Sequence, residues 1–453
     1  MAKARAVIIL AAGRGTRMKS ALPKPLHAVG GRSMLDWSLA LARECGADRK
    51  VVIWGPHGPE VKTRAEEAGA LAALQDPPMG TGHAVLCAKE ALANFDGDVA
   101  VLFADTPLIR AHTLEAVFRA LDTGANVAVL GFEPADPAGY GRLLENGSGM
   151  LTAIVEEKDA TEQQKAVRLC NSGVLAAPAP VLFELLSKVT NKNAKGEYYL
   201  TDIIALGVEV GHTACAVRAD ASEVLGVNSR AELASAEAAF QARARTAAMD
   251  AGVTLIAPET VFFSHDTQIA NDVIVEPNVV FGPGVKIETG AVIHAFSHLQ
   301  GAHLGENTSV GPYARLRPGA VLENGARIGN FVEVKNAILH AGAKANHLSY
   351  IGDADIGEMA NIGAGTITCN YDGFFKHRTI IGDGAFIGSN TALVAPVTIG
   401  RGAFTGSGSV ITSDVPDDAL ALSRVRQENR VGWAARFRQM MQARKDKKAH
   451  QTG

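Results

Sequence analysis

No stretch of this 453-residue chain holds the run of about eighteen apolar residues that a membrane-spanning helix requires, so the sequence predicts no membrane span. Cysteine is scarce: Cys45, Cys87, Cys170, Cys215 and Cys369 are scattered, with no Cys-x-x-Cys spacing. An odd, dispersed set argues against a disulfide framework or a zinc site and favours reduced thiols in the cytoplasm. An excess of one charge is missing as well. A formal net charge of −3 argues against a protein built to coat nucleic acid. What is present, 47% hydrophobic and 20% charged residues, is globular composition, and the length predicts two or three domains. Lys3 and Arg5 ahead of residues 6–12 imitate a signal peptide. That apolar run is short and ends in a glycine loop, so it reads as a first strand.

The loop itself, Leu10-Ala11-Ala12-Gly13-Arg14-Gly15-Thr16-Arg17-Met18 followed by Pro23-Lys24, lacks the signatures of two common phosphate loops. Met18 stands where the dinucleotide fingerprint needs its third glycine, and no Gly-Lys-Ser/Thr follows. It still carries the chemistry of an anion cradle. Backbone N–H groups at the C-terminal end of a strand, with Arg14, Arg17 and Lys24 beside them, suit a triphosphate.

Residues 1–228 alternate short apolar runs with helical segments: 50–54 and 98–103 read as strands, 60–68 and 113–121 as helices, in the cadence of a mostly parallel α/β sheet. Ser229 and Glu232 offer a capping box, and residues 229–251 read as a linker helix with Leu233, Phe240 and Ala244 at helical spacing. Residues 252–453 form the other domain. There Leu304, Val310, Leu316, Leu322, Ile328 and Val334 recur every six residues, as do Ile381, Ile387, Leu393, Ile399, Thr405 and Ile411. Ile351, Ile356 and Ile362 keep the Ile-Gly opening with one interval shortened to five. This period is the mark of a hexapeptide β-helix. Residues 370–378 break the phase and predict a projecting loop. After the repeats, Trp433, Phe437, Met440 and Met441 predict a helix packed on the solenoid or on a neighbouring chain, and Arg444, Lys445, Lys447 and Lys448 a solvated basic end.

Taken together, the triphosphate loop and the hexapeptide repeats resemble the family of bacterial bifunctional enzymes with N-acetylglucosamine-1-phosphate uridyltransferase and glucosamine-1-phosphate N-acetyltransferase activities. The resemblance covers nearly the whole chain. It implies a Rossmann-like α/β nucleotidyltransferase domain followed by a left-handed parallel β-helix, a homotrimer, a cytoplasmic location, and UTP, acetyl-CoA and Mg2+ as substrates and cofactor. For the first reaction it implies that Arg17 and Lys24 stabilise phosphates and that Asp105 and Asn228 hold the metal. Its nucleotide-sugar contacts fall on Leu10, Ala11, Ala12, Gly13, Lys24, Gln75, Gly80, Thr81, Asp105, Gly141, Glu156, Asn171 and Asn228. The family commonly has Tyr-Gly-Asp where this chain has Phe103-Ala104-Asp105, which removes a hydroxyl and adds a methyl near the metal position.

An amine acceptor must lose a proton before it attacks a thioester, so the second reaction wants a base titrating near neutrality. His347 matches the family's base. By the same match Arg317, Lys335, Tyr350, Asn361 and Lys376 hold the sugar phosphate, and Ala364, Asn370, Tyr371, Ser389, Ser407 and Arg424 hold acetyl-CoA. Two other readings fit the same domain pair: a single-activity nucleotidyltransferase whose β-helix only oligomerises, and a regulatory protein without catalysis.

Overall fold

The computed structural model describes residues 3–451 and divides into two compact units. Of the described residues, the first comprises 3–251, 258–267 and 281–283; the second comprises 252–257, 268–280 and 284–451.

In the first unit a nine-stranded sheet has the central order Ala214–Ala219, Val127–Phe132, Cys170–Pro178, Asp98–Phe103, Arg5–Leu10, Arg49–Trp54, Leu71–Leu74. All of these pair in parallel except Cys170–Pro178, which runs antiparallel between its two neighbours. Arg5–Leu10 reads RAVIIL and is apolar through its middle because both faces of the sheet are covered. Val7 and Ile9 face one core cluster, Ala6 and Ile8 the other. From Arg5–Leu10 the chain passes to one side, through Arg49–Trp54 to Leu71–Leu74, and returns to the other side as Asp98–Phe103. That reversal opens a crevice beyond Leu10 and Phe103 at the strands' C-terminal ends, where open α/β sheets bind ligands.

The helix Arg230–Asp250 belongs to this unit. Ala236 and Phe240 enter a cluster with Met18, Val29, Met34 and Leu108, and Leu233 and Ala244 pack at its edge. The expected capping box forms by half. Ser229 accepts from the Glu232 N–H at 3.3 Å, but the Glu232 carboxylate reaches the N–H of Asn228 at 2.6 Å rather than that of Ser229.

The second unit is a parallel β-helix of the left-handed hexapeptide class. Its six-residue period resolves into three ladders, since residues eighteen apart become neighbours: Leu304 pairs with Leu322, Val310 with Ile328, and Leu316 with Val334. Every one of these aliphatics is at most 1% exposed. Three consecutive six-residue segments therefore close one coil, and each inward side chain sits on its counterpart one strand spacing away, about 4.8 Å. The shortened interval is absorbed without loss of register, because Ile351 still pairs with Val334 and Ile356 with Leu339. Across the 370–378 interruption Ile356 pairs with Ile381, so the insertion is extruded as a loop with Phe374 86% exposed. The terminal helix Trp433–Gln451 forms where its periodicity predicts. Packing on the solenoid does not follow: residues 422–448 are all exposed, and the stripe is covered only where Trp433 stacks on Phe437.

Candidate functional sites

At the crevice of the first unit, Gly15 adopts φ 58°, and a Cβ there would stand 2.6 Å from Lys24 Cβ. Glycine thus lets the loop fold over the Lys24 stem. A Cβ on Gly13 would meet nothing within 4 Å, leaving open space above the backbone. The loop lines a cavity of 330 Å³ together with Lys24, Gln75, Gly80, Thr81 and Asp105, and Leu10, Ala11, Ala12 and Arg14 are part of its wall. A second cavity, of 270 Å³, holds Gly141, Glu156, Asn171 and Asn228. Both cavities share Thr81, Phe103 and Asp105, so they are two lobes of one cleft.

At that junction the Lys24 ammonium lies 2.5 Å from Asp105 Oδ2 and 3.1 Å from Asn228 Oδ1. The two oxygens come from positions 81 and 204 residues away, yet they converge on one positive charge. Hard oxygen donors gathered on a cation fit a divalent ion that keeps its remaining coordination for water and phosphate. Among the described residues no group of three or more His, Cys, Asp or Glu side chains could hold a metal alone.

Arg17 is exposed, on the short turn Thr16–Met18, and lines neither lobe. Ala104 is 1% exposed and belongs to the hydrophobic core, and the Phe103 ring fills the space over Gly173, where a Cβ would lie 2.8 Å away.

In the second lobe, burial pushes the Glu156 carboxyl above its ordinary range, with Asp159 and Asp202 adding to the rise and Lys195 opposing it. The Thr201 hydroxyl donates to Glu156 at 3.5 Å. Lys195, Glu197 and Thr201 line this lobe although sequence reasoning passed over them. For Lys195 and Glu197 the signal was the charged and aromatic run Lys195-Gly196-Glu197-Tyr198-Tyr199 between apolar segments.

On the β-helix, residues of the predicted acetyl-CoA set stack coil upon coil. The Gly365 N–H reaches His347 O, the Asn390 N–H reaches Ala364 O, the Gly408 N–H reaches Ser389 O, and Arg424 Nη1 donates to Ser407 O. His347, Ala364, Ser389, Ser407 and Arg424 thereby follow one edge. Nδ1 of His347 is 2.8 Å from Asn330 Oδ1, a carbonyl that can only accept, so the neutral imidazole carries its proton on Nδ1 and presents a lone pair at Nε2.

A separate cluster gathers positive charge. Arg317 and Lys335 occupy successive coils, with Arg317 paired to Glu333 at 2.8 Å. The Lys376 ammonium beside Lys335, with Arg317 adding, holds the Lys335 pKa below the usual lysine range. Asp353 faces both lysines and accepts from Asn336 at 2.6 Å and from Asn370. The Tyr350 hydroxyl and the Asn370 amide converge over Gly352, where a Cβ would lie 2.5 and 2.9 Å from them. Asn361 sits half-buried at the start of Asn361–Ile362, and Tyr371 is exposed at the root of the loop, its hydroxyl donating to Gly373 O.

Residues 7–236 match the MobA-like NTP transferase domain family, and residues 266–301, 301–336 and 378–413 match the bacterial transferase hexapeptide family. Over full length the chain is 63% identical to the bifunctional protein GlmU of Maricaulis maris, with all of both chains covered. It is 58% identical to that of Azorhizobium caulinodans over 95% of this chain and 97% of the relative. The figure is 56% for that of Caulobacter vibrioides, over 98% and 96%. Both units match in the same order and over the whole length, and the chain therefore belongs to the bifunctional GlmU family.

Proposed function

We propose that the chain makes UDP-N-acetylglucosamine in two steps, each unit carrying one. Acetyl passes from acetyl-CoA to glucosamine-1-phosphate on the β-helix. The α/β unit then joins the product to UTP. The convergence of Asp105 and Asn228 on the Lys24 charge, at the junction of the two lobes, carries this reading.

In the α/β unit the nucleotide takes the lobe of Gly13 and Gln75, and the sugar takes the lobe of Glu156 and Asn171. A phosphate oxygen of the sugar then bonds to the α-phosphorus while the α–β bridging bond breaks, and pyrophosphate leaves. Positioning and charge neutralisation dominate such a displacement. Lys24 and Arg14 neutralise phosphate from the loop side. Arg17, exposed at the loop's end, acts on the outgoing phosphates. Asp105 and Asn228 would hold a Mg2+ ion, which would supply further neutralisation of the phosphate charge.

On the β-helix, Arg317, Lys335 and Lys376 bind the phosphate of the acceptor. Three like charges are brought together against Glu333 on Arg317 and Asp353 beside the lysines, and the positive charge left over suits an anion. Nε2 of His347 takes a proton as the amine attacks the thioester carbonyl. A carbon–nitrogen bond forms, the carbon–sulfur bond breaks, and the CoA thiol departs. The column from Ala364 to Arg424 guides the cofactor's arm. This cationic cluster favours two activities over an α/β enzyme whose β-helix only oligomerises. The protein works as a homotrimer in the cytoplasm. Supplying glucosamine-1-phosphate, acetyl-CoA, UTP and magnesium together should yield UDP-N-acetylglucosamine, CoA and pyrophosphate by mass spectrometry. Recovery of unacetylated UDP-glucosamine, or no nucleotide sugar, would overturn the assignment.

A further inference from the structure

Gln75 follows the strand Leu71–Leu74 and is 5% exposed, yet it lines the nucleotide lobe. Its amide is pinned on one side. Nε2 donates to Gly80 O at 2.9 Å, which sets the orientation, because a flipped amide would bring its oxygen against another acceptor. The Gly80 carbonyl is itself fixed: the residue has φ 109°, and a Cβ would lie 2.6 Å from Tyr198 O.

The same nitrogen is 3.3 Å from Nδ1 of His83. An amide nitrogen has two hydrogens and no lone pair to offer, so Nδ1 must accept and the imidazole proton must be on Nε2. Nε2 faces Cys87 Sγ at 4.0 Å, a sulfur able to accept weakly. Burial lowers the pKa of His83 and raises that of the Cys87 thiol, so both stay neutral. Both amide hydrogens are then engaged. Gln75 Oε1 has no protein partner among the described residues and is the one amide atom left for a ligand.

We propose that His83 is a positioning residue that sets base selectivity, by holding Gln75 so that only a hydrogen-bond acceptor faces the base. This rests on the reading that the nucleotide base occupies the Gln75 lobe. Uracil and thymine carry an N–H at ring position 3 and satisfy that acceptor. Cytosine has a lone pair there and leaves Oε1 buried against a second acceptor, which is costly.

The test is the ratio of kcat/KM for UTP to that for CTP in the full chain. His83→Leu keeps apolar bulk but removes the lone pair, and His83→Ala repeats the removal in case the larger side chain does not fit. His83→Asn places a carbonyl oxygen near the position of Nδ1. Removal should lower the UTP:CTP ratio by about tenfold or more, chiefly through KM for UTP. His83→Asn should keep the ratio within about threefold of the wild type, a difference of under 1 kcal/mol. Far-UV circular dichroism and the melting temperature of the α/β unit report that each variant is folded. A wild-type ratio in the Leu and Ala variants overturns the inference, as does an Asn variant no better than Leu. Gln75→Ala separates the two levels. If it leaves the ratio unchanged, the placement of the base is wrong; if it collapses the ratio while His83→Leu does not, only the role of His83 fails.

Discussion

Single residues on this scaffold take their properties from neighbours that are remote in sequence. His340 is an example outside both sites: its Nδ1 is 3.1 Å from Glu323 and its Nε2 2.8 Å from Asp355. Burial lowers its pKa, but the two carboxylates outweigh burial and the net shift is upward. A histidine whose folded pKa exceeds its unfolded value, near 6.5, contributes stability that is fully present below that value and is lost as pH rises through the folded one. The melting temperatures of wild type and His340→Gln should accordingly differ most between about pH 5 and 6 and converge in alkaline buffer. A gap that widens with pH would contradict this. The site residues show the same dependence on context. Asp105 and His347 could be picked out by motif. That Lys24 lies between Asp105 and Asn228, or that Asn330 orients His347, could not, because these partners are set by strand order and coil register.

At the scale of elements, hydrophobic period did most of the specifying. The strand at 98–103 and the helices near 60–68 and 113–121 form within two residues of their predicted bounds. The β-helix follows as directly: a six-residue period with three segments per coil leaves one aliphatic per face, stacked on its equivalents. Leu322 sits between Leu304 and Leu339 in one such stack. Leu322→Ala should destabilise the β-helix by about 2–5 kcal/mol, through lost burial and a cavity that the rigid ladder cannot close. The check is the shift in the denaturant midpoint of that unit, with uridylyl transfer retained in native buffer. A change within error would mean that the coil relaxes more freely than its parallel hydrogen bonds suggest. The capping box and the terminal helix mark where period runs out. Ser229 and Glu232 have the right spacing, but the carboxylate found a different N–H. The terminal stripe has helical spacing, but spacing cannot supply a surface to bury it.

For the whole molecule, two reactions assigned to two units predict separable failures. His347→Ala should lower acetyl transfer by about a hundredfold or more, the usual worth of a general base, and leave uridylyl transfer intact. EDTA should do the reverse, stopping uridylyl transfer while acetyl transfer continues. Coupled-enzyme assays for pyrophosphate and a thiol reagent for CoA read the two separately. Loss of both reactions on either treatment would contradict the division of labour.

What this sequence determined by itself is whatever repeats or is contiguous: an α/β half, a hexapeptide half, and a glycine loop bearing Arg14, Arg17 and Lys24. Such features depend on local period and backbone chemistry, which a linear reading preserves. Tertiary structure alone decided which of those charges line the cleft, admitting Arg14 and Lys24 and leaving Arg17 outside it. It also joined two lobes at Asp105, aligned His347 with Arg424 along one edge, and set His83 against Gln75. Each depends on atoms tens to hundreds of residues apart, or on the orientation of one amide, and only the order of strands and the register of coils bring such atoms within hydrogen-bonding distance.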